Sequence, residues 1–222
     1  MTDVPVVTVD GPSGSGKGTL AALLAKHFGW HLLDSGALYR IVAAIALERG
    51  IDLSAAQALA QMARGLDIRF ENGQVVVDGV DLTDRIRHEE VGEAASRVAA
   101  CVPVREAILD SQHSMRKPPG LVADGRDMGT VVFPDATAKI YLEASAQVRA
   151  ERRYKQLKNK GLSVSVHALL ATIIQRDERD TRRAASPLRP AKDAIIIEST
   201  SMSIEKVLEV SIAIVEQGLA ST

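Results

Sequence analysis

Cysteine and long apolar runs are both scarce in this chain of 222 residues. Its single cysteine, Cys101, cannot form an intramolecular disulfide and has no Cys or His neighbour at metal-ligand spacing, so we expect a small buried residue there. No apolar run approaches the roughly 20 residues that span a bilayer, and the first residues lack the basic region and cleavage site of a signal peptide. We therefore expect a cytoplasmic protein that has no membrane partner.

Strong net charge is lacking as well. The formal net charge is -1, which argues against a nucleic acid as the main partner. The charge is uneven, because residues 149–190 hold eleven Lys and Arg against four acids, a pattern that is most often a solvated helical face. A hydrophobic share of 46% and a charged share of 25% are typical of a globular protein, and we expect a monomer with a single domain over 1–222.

Short apolar runs alternate with long stretches of helical periodicity, which predicts an α/β fold with a parallel sheet. The first run, 4–10, precedes a glycine-rich turn and a helix that ends near Gly29. Further strands are predicted at 30–33, 120–123, 138–142 and 194–197. Residues 66–84 depart from this alternation, because Asn72-Gly73 and Asp78-Gly79 are typical of tight antiparallel hairpins. This stretch is predicted to be a small β insert.

The glycine-rich turn has the sequence GPSGSGKGT and contains the G-x-x-x-x-G-K pattern of a phosphate-binding loop, or P-loop, between a buried strand and a helix. Glycines permit positive φ, so backbone N–H groups can point at phosphate oxygens, and the helix dipole assists them. Lys17 is predicted to reach the β- and γ-phosphates. The predicted ATP-binding residues are Gly11, Pro12, Ser13, Gly14, Ser15, Gly16, Lys17, Gly18 and Thr19.

Gly18 occupies the position after the lysine, where the general motif has a Ser or Thr that ligates Mg²⁺. This variant resembles the nucleoside monophosphate kinases, which implies that Mg²⁺, the cofactor expected with ATP, is held mainly by phosphates and water. No residue is therefore predicted to ligate the metal directly. Asp124 ends a predicted strand and could orient metal-bound water, although capping of the next turn explains it equally well.

Two polar segments follow predicted strands. Ser35 and Gly36 come after the second strand, with Ser35 as the expected N-cap of a helix that carries Tyr39 and Arg40 about one turn on. Arg126-Asp127 follows the strand at 120–123 and could instead be a surface ion pair. Because ligands of open α/β sheets collect at the carboxyl ends of the strands, we expect both segments beside the P-loop.

The basic segment admits two explanations. Arg176, Asp180 and Arg183 fall along one helical stripe, which surface ion pairing would explain. Stabilisation of a transferring phosphoryl group by several guanidinium groups would explain it too. A matching lid segment is predicted to supply Arg149, Arg152 and Arg153.

Several segments resemble the bacterial cytidylate kinases, a family of nucleoside monophosphate kinases, in order and over essentially the whole chain. They are VDGPSGSGKGT, HLLDSGALYR, ADGRDMGTVVFP, KIYLEAS and RDERDTRRAASPL. The resemblance implies a P-loop NTPase-type parallel sheet of five strands flanked by helices. It also implies a monophosphate-binding region over approximately 35–105 that contains the β insert, and a short helical lid over approximately 149–183.

By this resemblance the chain transfers the γ-phosphoryl group of ATP to CMP or dCMP, its expected partners. The implied CMP-binding residues are Ser35, Gly36, Tyr39, Arg40, Ser96, Arg105, Arg126, Asp127, Arg176, Asp180 and Arg183. Among them the acceptor phosphate is assigned to Ser35, Arg40, Arg126 and Arg183; cytosine to Ser96, Arg105 and Asp127; and the sugar to Arg176 and Asp180. The implied catalytic residues are Lys17, Arg126, Arg183 and Arg152.

Other functions fit parts of the pattern. A kinase of the same fold could act on another monophosphate or on a small alcohol, with Asp34 or Asp127 as the base. A nucleotide-dependent switch protein would use the P-loop alone. A nucleic-acid-binding protein would use the basic segment and would show a steep dependence of affinity on salt.

Overall fold

A computed structural model describes residues 4–71, 73–159, 161 and 163–221. The chain divides into two compact units: unit 1 consists of residues 1–33 and 115–222, and unit 2 of residues 34–114. The strands are β1 (Val6–Asp10), β2 (His31–Asp34), β3 (Ile68–Glu71), β4 (Gln74–Val77), β5 (Val80–Asp81), β6 (Leu121–Gly125), β7 (Ala138–Glu143) and β8 (Ile195–Glu198). The α-helices are α1 (Lys17–Phe28), α2 (Ser35–Glu48), α3 (Ala56–Arg64), α4 (Glu89–Val98), α5 (Val102–Ser114), α6 (Ala146–Asn159), α7 (Val166–Arg182) and α8 (Ile204–Ala220).

Unit 1 is built on a five-stranded sheet with the order β2-β6-β1-β7-β8. The β1–β6, β1–β7 and β7–β8 pairs are parallel. Every residue of β1 is buried, as expected of a central strand that is covered on both faces. Helices α1 and α8 pack on the sheet through apolar side chains such as Leu20, Leu24 and Val207. The predicted five-stranded parallel sheet flanked by helices is therefore confirmed.

The register of the central strands determines which loops start side by side. Asp10, the last residue of β1, is paired with Gly125, the last residue of β6. The P-loop begins at Gly11 and the Arg126-Asp127 loop at the next residue of the neighbouring strand, so the two loops leave the same edge of the sheet together. This is the edge at which the sequence predicted a site.

The predicted lid falls on α6 and α7, which pack against each other within unit 1. Residues 160 and 162 of that region lie outside the described residues. Within the described part of the chain, none of the helices has the length and apolarity needed to cross a bilayer.

In its described residues, unit 2 combines four α-helices and a short 3₁₀-helix, Arg85–Arg87, with the antiparallel sheet β3-β4-β5. Helix α2 packs against α4, and α3 against α5. The strands lie within 66–84, where the sequence predicted hairpins. Asp78 and Gly79 both have positive φ in the two-residue turn between β4 and β5, as a tight hairpin requires. Asn72, which belongs to the other predicted turn, lies outside the described residues.

Candidate active site

The P-loop connects β1 directly to α1. Gly11 has a φ of 152°, and a Cβ atom at this position would lie 2.3 Å from the carbonyl oxygen of Leu142, so only glycine fits. Gly16 is the N-cap of α1 in the left-handed conformation and brings no side chain to the helix N-terminus. The first N–H groups of α1 therefore face the loop, where the helix dipole favours an anion. The hydroxyl of Ser15 is buried and has no hydrogen-bond partner among the described residues.

Lys17 and Asp124 meet beside the P-loop. The Nζ atom of Lys17 donates to the carbonyl oxygen of Pro12 at 3.3 Å and lies 4.0 Å from Oδ1 of Asp124. A Cβ atom on Gly18 would lie 3.0 Å from the other carboxylate oxygen of Asp124. A Ser or Thr at position 18 would thus crowd Asp124, which gives a physical reason for the glycine.

The residues around Lys17 fit a Mg²⁺ ion that reaches the site on nucleotide phosphates. Asp124 offers a buried carboxylate, the ligand type that Mg²⁺ and its bound water prefer. No cluster of three or more His, Cys, Asp or Glu side chains suited to a metal occurs in the described part of the chain. The ion's ligands would therefore be phosphate oxygens and water, and Asp124 would act on it through a bound water molecule.

Two arginines of α6 hold the backbone of the P-loop. Arg149 is buried, donates to the carbonyl oxygen of Ser13 at 2.9 Å and forms a two-pronged ion pair with Asp177 of α7. Arg152 donates to the carbonyl oxygen of Ser15 at 3.0 Å. The sequence placed both arginines in a lid, but their role in securing P-loop carbonyls has no local sequence signal. Arg153, on the same helix, donates to Gln156.

Asp180 is the centre of an arginine cluster in unit 1. Its carboxylate accepts a hydrogen bond from Nε of Arg126 at 3.0 Å and is buried. Burial by itself would raise the pKa of Asp180, but the charges of Arg126, Arg176 and Arg183 together lower the pKa below its usual value. Three of the predicted acceptor residues, all arginines, therefore gather around the carboxylate of a fourth, Asp180. Asp127, which follows Arg126, is 2% exposed.

Asp10 is a buried acid that the sequence did not single out. Its two carboxylate oxygens accept hydrogen bonds from the backbone N–H groups of Met128 and Gly129, each at 2.8 Å. Burial raises the pKa of Asp10 to about 7, and the negative charges of Asp127 and Asp124 add to this effect against the two hydrogen bonds. The only signal in the sequence that could have indicated a role for Asp10 is its position as an acid at the end of an apolar strand.

The remaining predicted residues lie in unit 2. Asp34, not Ser35, is the N-cap of α2, because its carboxylate accepts a hydrogen bond from the N–H group of Ala37 at 3.0 Å. The prediction of Ser35 as N-cap is wrong: Ser35 is the first residue of the helix, followed by Gly36. The hydroxyl of Ser35 instead accepts a hydrogen bond from Nε2 of Gln112 at 2.9 Å.

Arg40 lies on α2 with its guanidinium against α4. It donates to the carbonyl oxygen of Ile86 at 2.9 Å. A Cβ atom on Gly92 would lie 2.9 Å from a terminal nitrogen of Arg40, so this glycine makes room for the guanidinium group. Gly92 was not predicted, because a glycine within a helix has no distinctive local pattern.

Tyr39, Arg105 and Ser96 also belong to unit 2. The guanidinium carbon of Arg105 lies 5.6 Å from the ring centroid of Tyr39, a cation–π contact that orients the arginine. Ser96 is buried in α4, and its hydroxyl has no hydrogen-bond partner among the residues that the structure describes. A buried hydroxyl in this state can bind a polar ligand group.

A P-loop on a parallel sheet, with arginines beside it, is the architecture of a P-loop nucleotide-binding protein. Comparison with known proteins narrows the class, since residues 7–217 match the family described as Cytidylate kinase. The cytidylate kinase of Pseudomonas syringae pv. tomato is 57% identical over 211 residues, covering 92% of each chain. That of Aeromonas hydrophila subsp. hydrophila is 55% identical over 219 residues, covering 97% of this chain and 95% of its own length. The chain belongs to the cytidylate kinase family.

A solved structure of a gluconokinase from Sinorhizobium meliloti is also similar. It is 16% identical, with 98% of this chain and 94% of the gluconokinase covered, and the TM-score is 0.49.

Proposed function

We propose that this protein transfers the γ-phosphoryl group of ATP to CMP or dCMP, giving ADP and CDP or dCDP. The observation that carries the proposal is the extent of the family match, because residues 7–217 include the P-loop and every predicted acceptor residue. A P-loop alone would fit many ATP-binding proteins.

The donor side is assigned to the P-loop. Its N–H groups and Lys17 bind the ATP phosphates, and Arg149 and Arg152 keep the loop backbone in place through Ser13 and Ser15. Mg²⁺, bound with ATP, would supply neutralisation of the phosphate charge. Asp124, whose carboxylate lies 4.0 Å from Nζ of Lys17, would orient a water molecule of that ion.

The acceptor phosphate is assigned to Ser35, Arg40, Arg126 and Arg183. The attacking oxygen belongs to a phosphate that is already ionised, so no general base is needed. The reaction then depends on positioning, on electrostatic stabilisation and on the exclusion of water. Asp180 holds Arg126 in place through their hydrogen bond.

Base selection is assigned to Asp127 together with Ser96 and Arg105. A carboxylate accepts a hydrogen bond from the exocyclic amino group of cytosine, whereas uracil presents a carbonyl oxygen and would be repelled. The buried Ser96 hydroxyl can bind a further polar atom of the base. Arg176 and Asp180 are assigned to the sugar.

A coupled ADP-release assay with ATP and a panel of acceptors tests this function. The panel contains CMP, dCMP, UMP, AMP, GMP and shikimate, and we expect CMP and dCMP to be strongly preferred. Lys17→Met should lower turnover by about a hundredfold or more, as for loss of one group that stabilises the transition state. Lys26→Met is the matched control, since Lys26 is an exposed residue of the same helix.

Two results would contradict the proposal. Preference for another acceptor would indicate a related kinase, and slow ATP hydrolysis that no acceptor stimulates would indicate a nucleotide-dependent switch.

A further inference from the structure

Asp10 connects the two loops that leave the central strands of unit 1. It is the last residue of β1 and directly precedes Gly11, the first residue of the P-loop. Its side chain is 4% exposed, and each of its oxygens accepts one backbone hydrogen bond, Oδ1 from Met128 and Oδ2 from Gly129, both at 2.8 Å. One carboxylate thus holds two successive amides of the neighbouring loop.

The two amides directly follow Arg126 and Asp127, the residues assigned to the acceptor phosphate and to cytosine. They begin a π-helical turn, Met128–Val132, which is rare and is often found at functional sites. Because Asp10 is paired with Gly125, the loop after β6 leaves the sheet beside Asp10. Three residues later, at Met128, the same loop is hydrogen-bonded to the Asp10 side chain. Arg126 and Asp127 lie between these two attachments.

Gly129 lets the loop approach the sheet closely. A Cβ atom on this residue would lie 2.8 Å from Oγ1 of Thr8 and 3.4 Å from Oδ2 of Asp10. A larger residue at position 129 would therefore push its own amide away from the Asp10 carboxylate. The hydrogen bonds depend on the absence of a side chain here as well as on the presence of the acid.

Fold stability alone does not favour a carboxylate at position 10. Burial disfavours the ionised carboxyl, which raises its pKa to about 7. Once ionised, as the pH rises through that value, the carboxylate accepts two N–H groups with two equivalent oxygens, which neither an amide nor an alcohol side chain does.

We propose that Asp10 is a positioning residue for phosphoryl transfer, which fixes Arg126 and Asp127 relative to the P-loop by holding the amides of Met128 and Gly129. This inference rests on the proposed function, because it assumes that Arg126 and Asp127 contact the acceptor nucleotide. Asp10 itself contacts neither substrate and acts through the loop.

Asp10→Asn is the direct test, because it keeps the size of the side chain but replaces one acceptor oxygen with a donor. We expect kcat/KM for CMP to fall by about tenfold to a hundredfold, as for loss of one buried hydrogen bond with a charged acceptor, while the KM for ATP stays the same. The ratio of kcat/KM for CMP to that for UMP should fall as well. A purely structural role would lower the active fraction and leave both KM values and this ratio unchanged.

Gly129→Ala disturbs the same contact from the loop side and should give the same kinetic pattern. Asp135→Asn is the matched control: Asp135 pairs with Arg116 in the same unit and is not part of the site, so unchanged kinetics are expected. Thermal unfolding of each variant identifies any that do not fold. In the wild-type protein, the Met128 and Gly129 amides should exchange slowly with solvent deuterium.

The possible outcomes separate the inference from the proposed function. Wild-type protein that does not phosphorylate CMP contradicts the proposed function. Active wild-type protein whose Asp10→Asn and Gly129→Ala variants keep the wild-type KM and CMP-to-UMP ratio overturns the role of Asp10. Fast exchange of both amides in the wild-type protein overturns it independently of the variants.

Discussion

At the scale of single residues, the contact between Gln112 and Ser35 determines how Ser35 can act. Both side chains are buried in unit 2, and Nε2 of Gln112 donates to the Ser35 hydroxyl oxygen at 2.9 Å. A hydroxyl that accepts from this side directs its own hydrogen elsewhere. We therefore expect the Ser35 hydroxyl to donate a hydrogen bond to an oxygen of the acceptor phosphate, the ligand proposed for it above.

Gln112→Leu should raise the KM for CMP several-fold, because the Ser35 hydroxyl loses the partner that orients it. Leaving that buried hydroxyl unpaired should also lower the free energy of unfolding by about 1–3 kcal/mol. Steady-state kinetics and urea unfolding measure the two effects. Gln61→Leu, which changes an exposed glutamine of the same unit, is the control and should alter neither.

A double-mutant cycle tests whether Gln112 acts through Ser35. The kinetic effects of Gln112→Leu and Ser35→Ala should not add, so that the double variant has the KM of Ser35→Ala alone. Additive losses would mean that the two residues act independently and would contradict the orienting role.

Several contacts of single residues could not be predicted from the sequence. Ser35 was expected to cap α2, but Asp34 does so, since either residue type suits an N-cap and the sequence does not decide between neighbours. Asp10 and Gln112 act on partners that are 118 and 77 residues away in the chain. Such pairs are set by strand order and helix packing, which local patterns do not encode.

At the scale of elements, the sequence predicted the regular structure well. The strands predicted at 138–142 and 194–197 are observed as Ala138–Glu143, which is largely buried, and as Ile195–Glu198, an edge strand in which only Ile197 is buried. Helix α1 ends at Gly29 as predicted, because this glycine adopts the left-handed conformation that ends a helix. The π-helical turn at Met128–Val132 was not predicted, since its first two amides donate to Asp10, a residue far away in the chain.

Helix α6 supports the P-loop through Arg149, which links three elements. Its guanidinium donates to the carbonyl oxygens of Ala144 and Ser13 and to both oxygens of Asp177. A lysine keeps the charge but cannot reproduce this fork. Arg149→Lys should therefore raise the KM for ATP several-fold and lower the free energy of unfolding by about 1–3 kcal/mol.

Nucleotide kinetics and urea unfolding check the role of Arg149. Arg189→Lys is the matched control, because Arg189 is an exposed arginine of the same unit. A variant at position 149 with wild-type stability and a wild-type KM for ATP would show that the P-loop does not depend on α6.

At the scale of the whole molecule, Asp10 makes the stability of the fold depend on pH near neutrality. Its pKa is about 7 in the folded protein, against an ordinary value of 3.8 in the unfolded chain, because burial disfavours the charge and Asp127 and Asp124 repel it. Between these two values the folded state binds the proton and the unfolded state does not. The stabilisation that this group provides is therefore complete below about pH 4 and is lost as the pH rises through 7.

The difference in unfolding free energy between the wild-type protein and Asp10→Asn isolates this group, because the other titrating residues are common to both. Between pH 5 and 7, the free energy of unfolding of the wild-type protein should fall relative to that of Asp10→Asn by up to about 1.4 kcal/mol per pH unit. The difference should level off above pH 7. Urea unfolding at pH 5, 6, 7 and 8 measures it.

Asp135→Asn provides the control, since a hydrogen bond from Arg116 lowers the pKa of Asp135 and keeps it ionised over this whole range. The wild-type protein and Asp135→Asn should therefore differ by a constant amount. A constant difference for Asp10→Asn as well would mean that the Asp10 carboxyl titrates outside this range, and that the two amides of the neighbouring loop hold it ionised despite its burial.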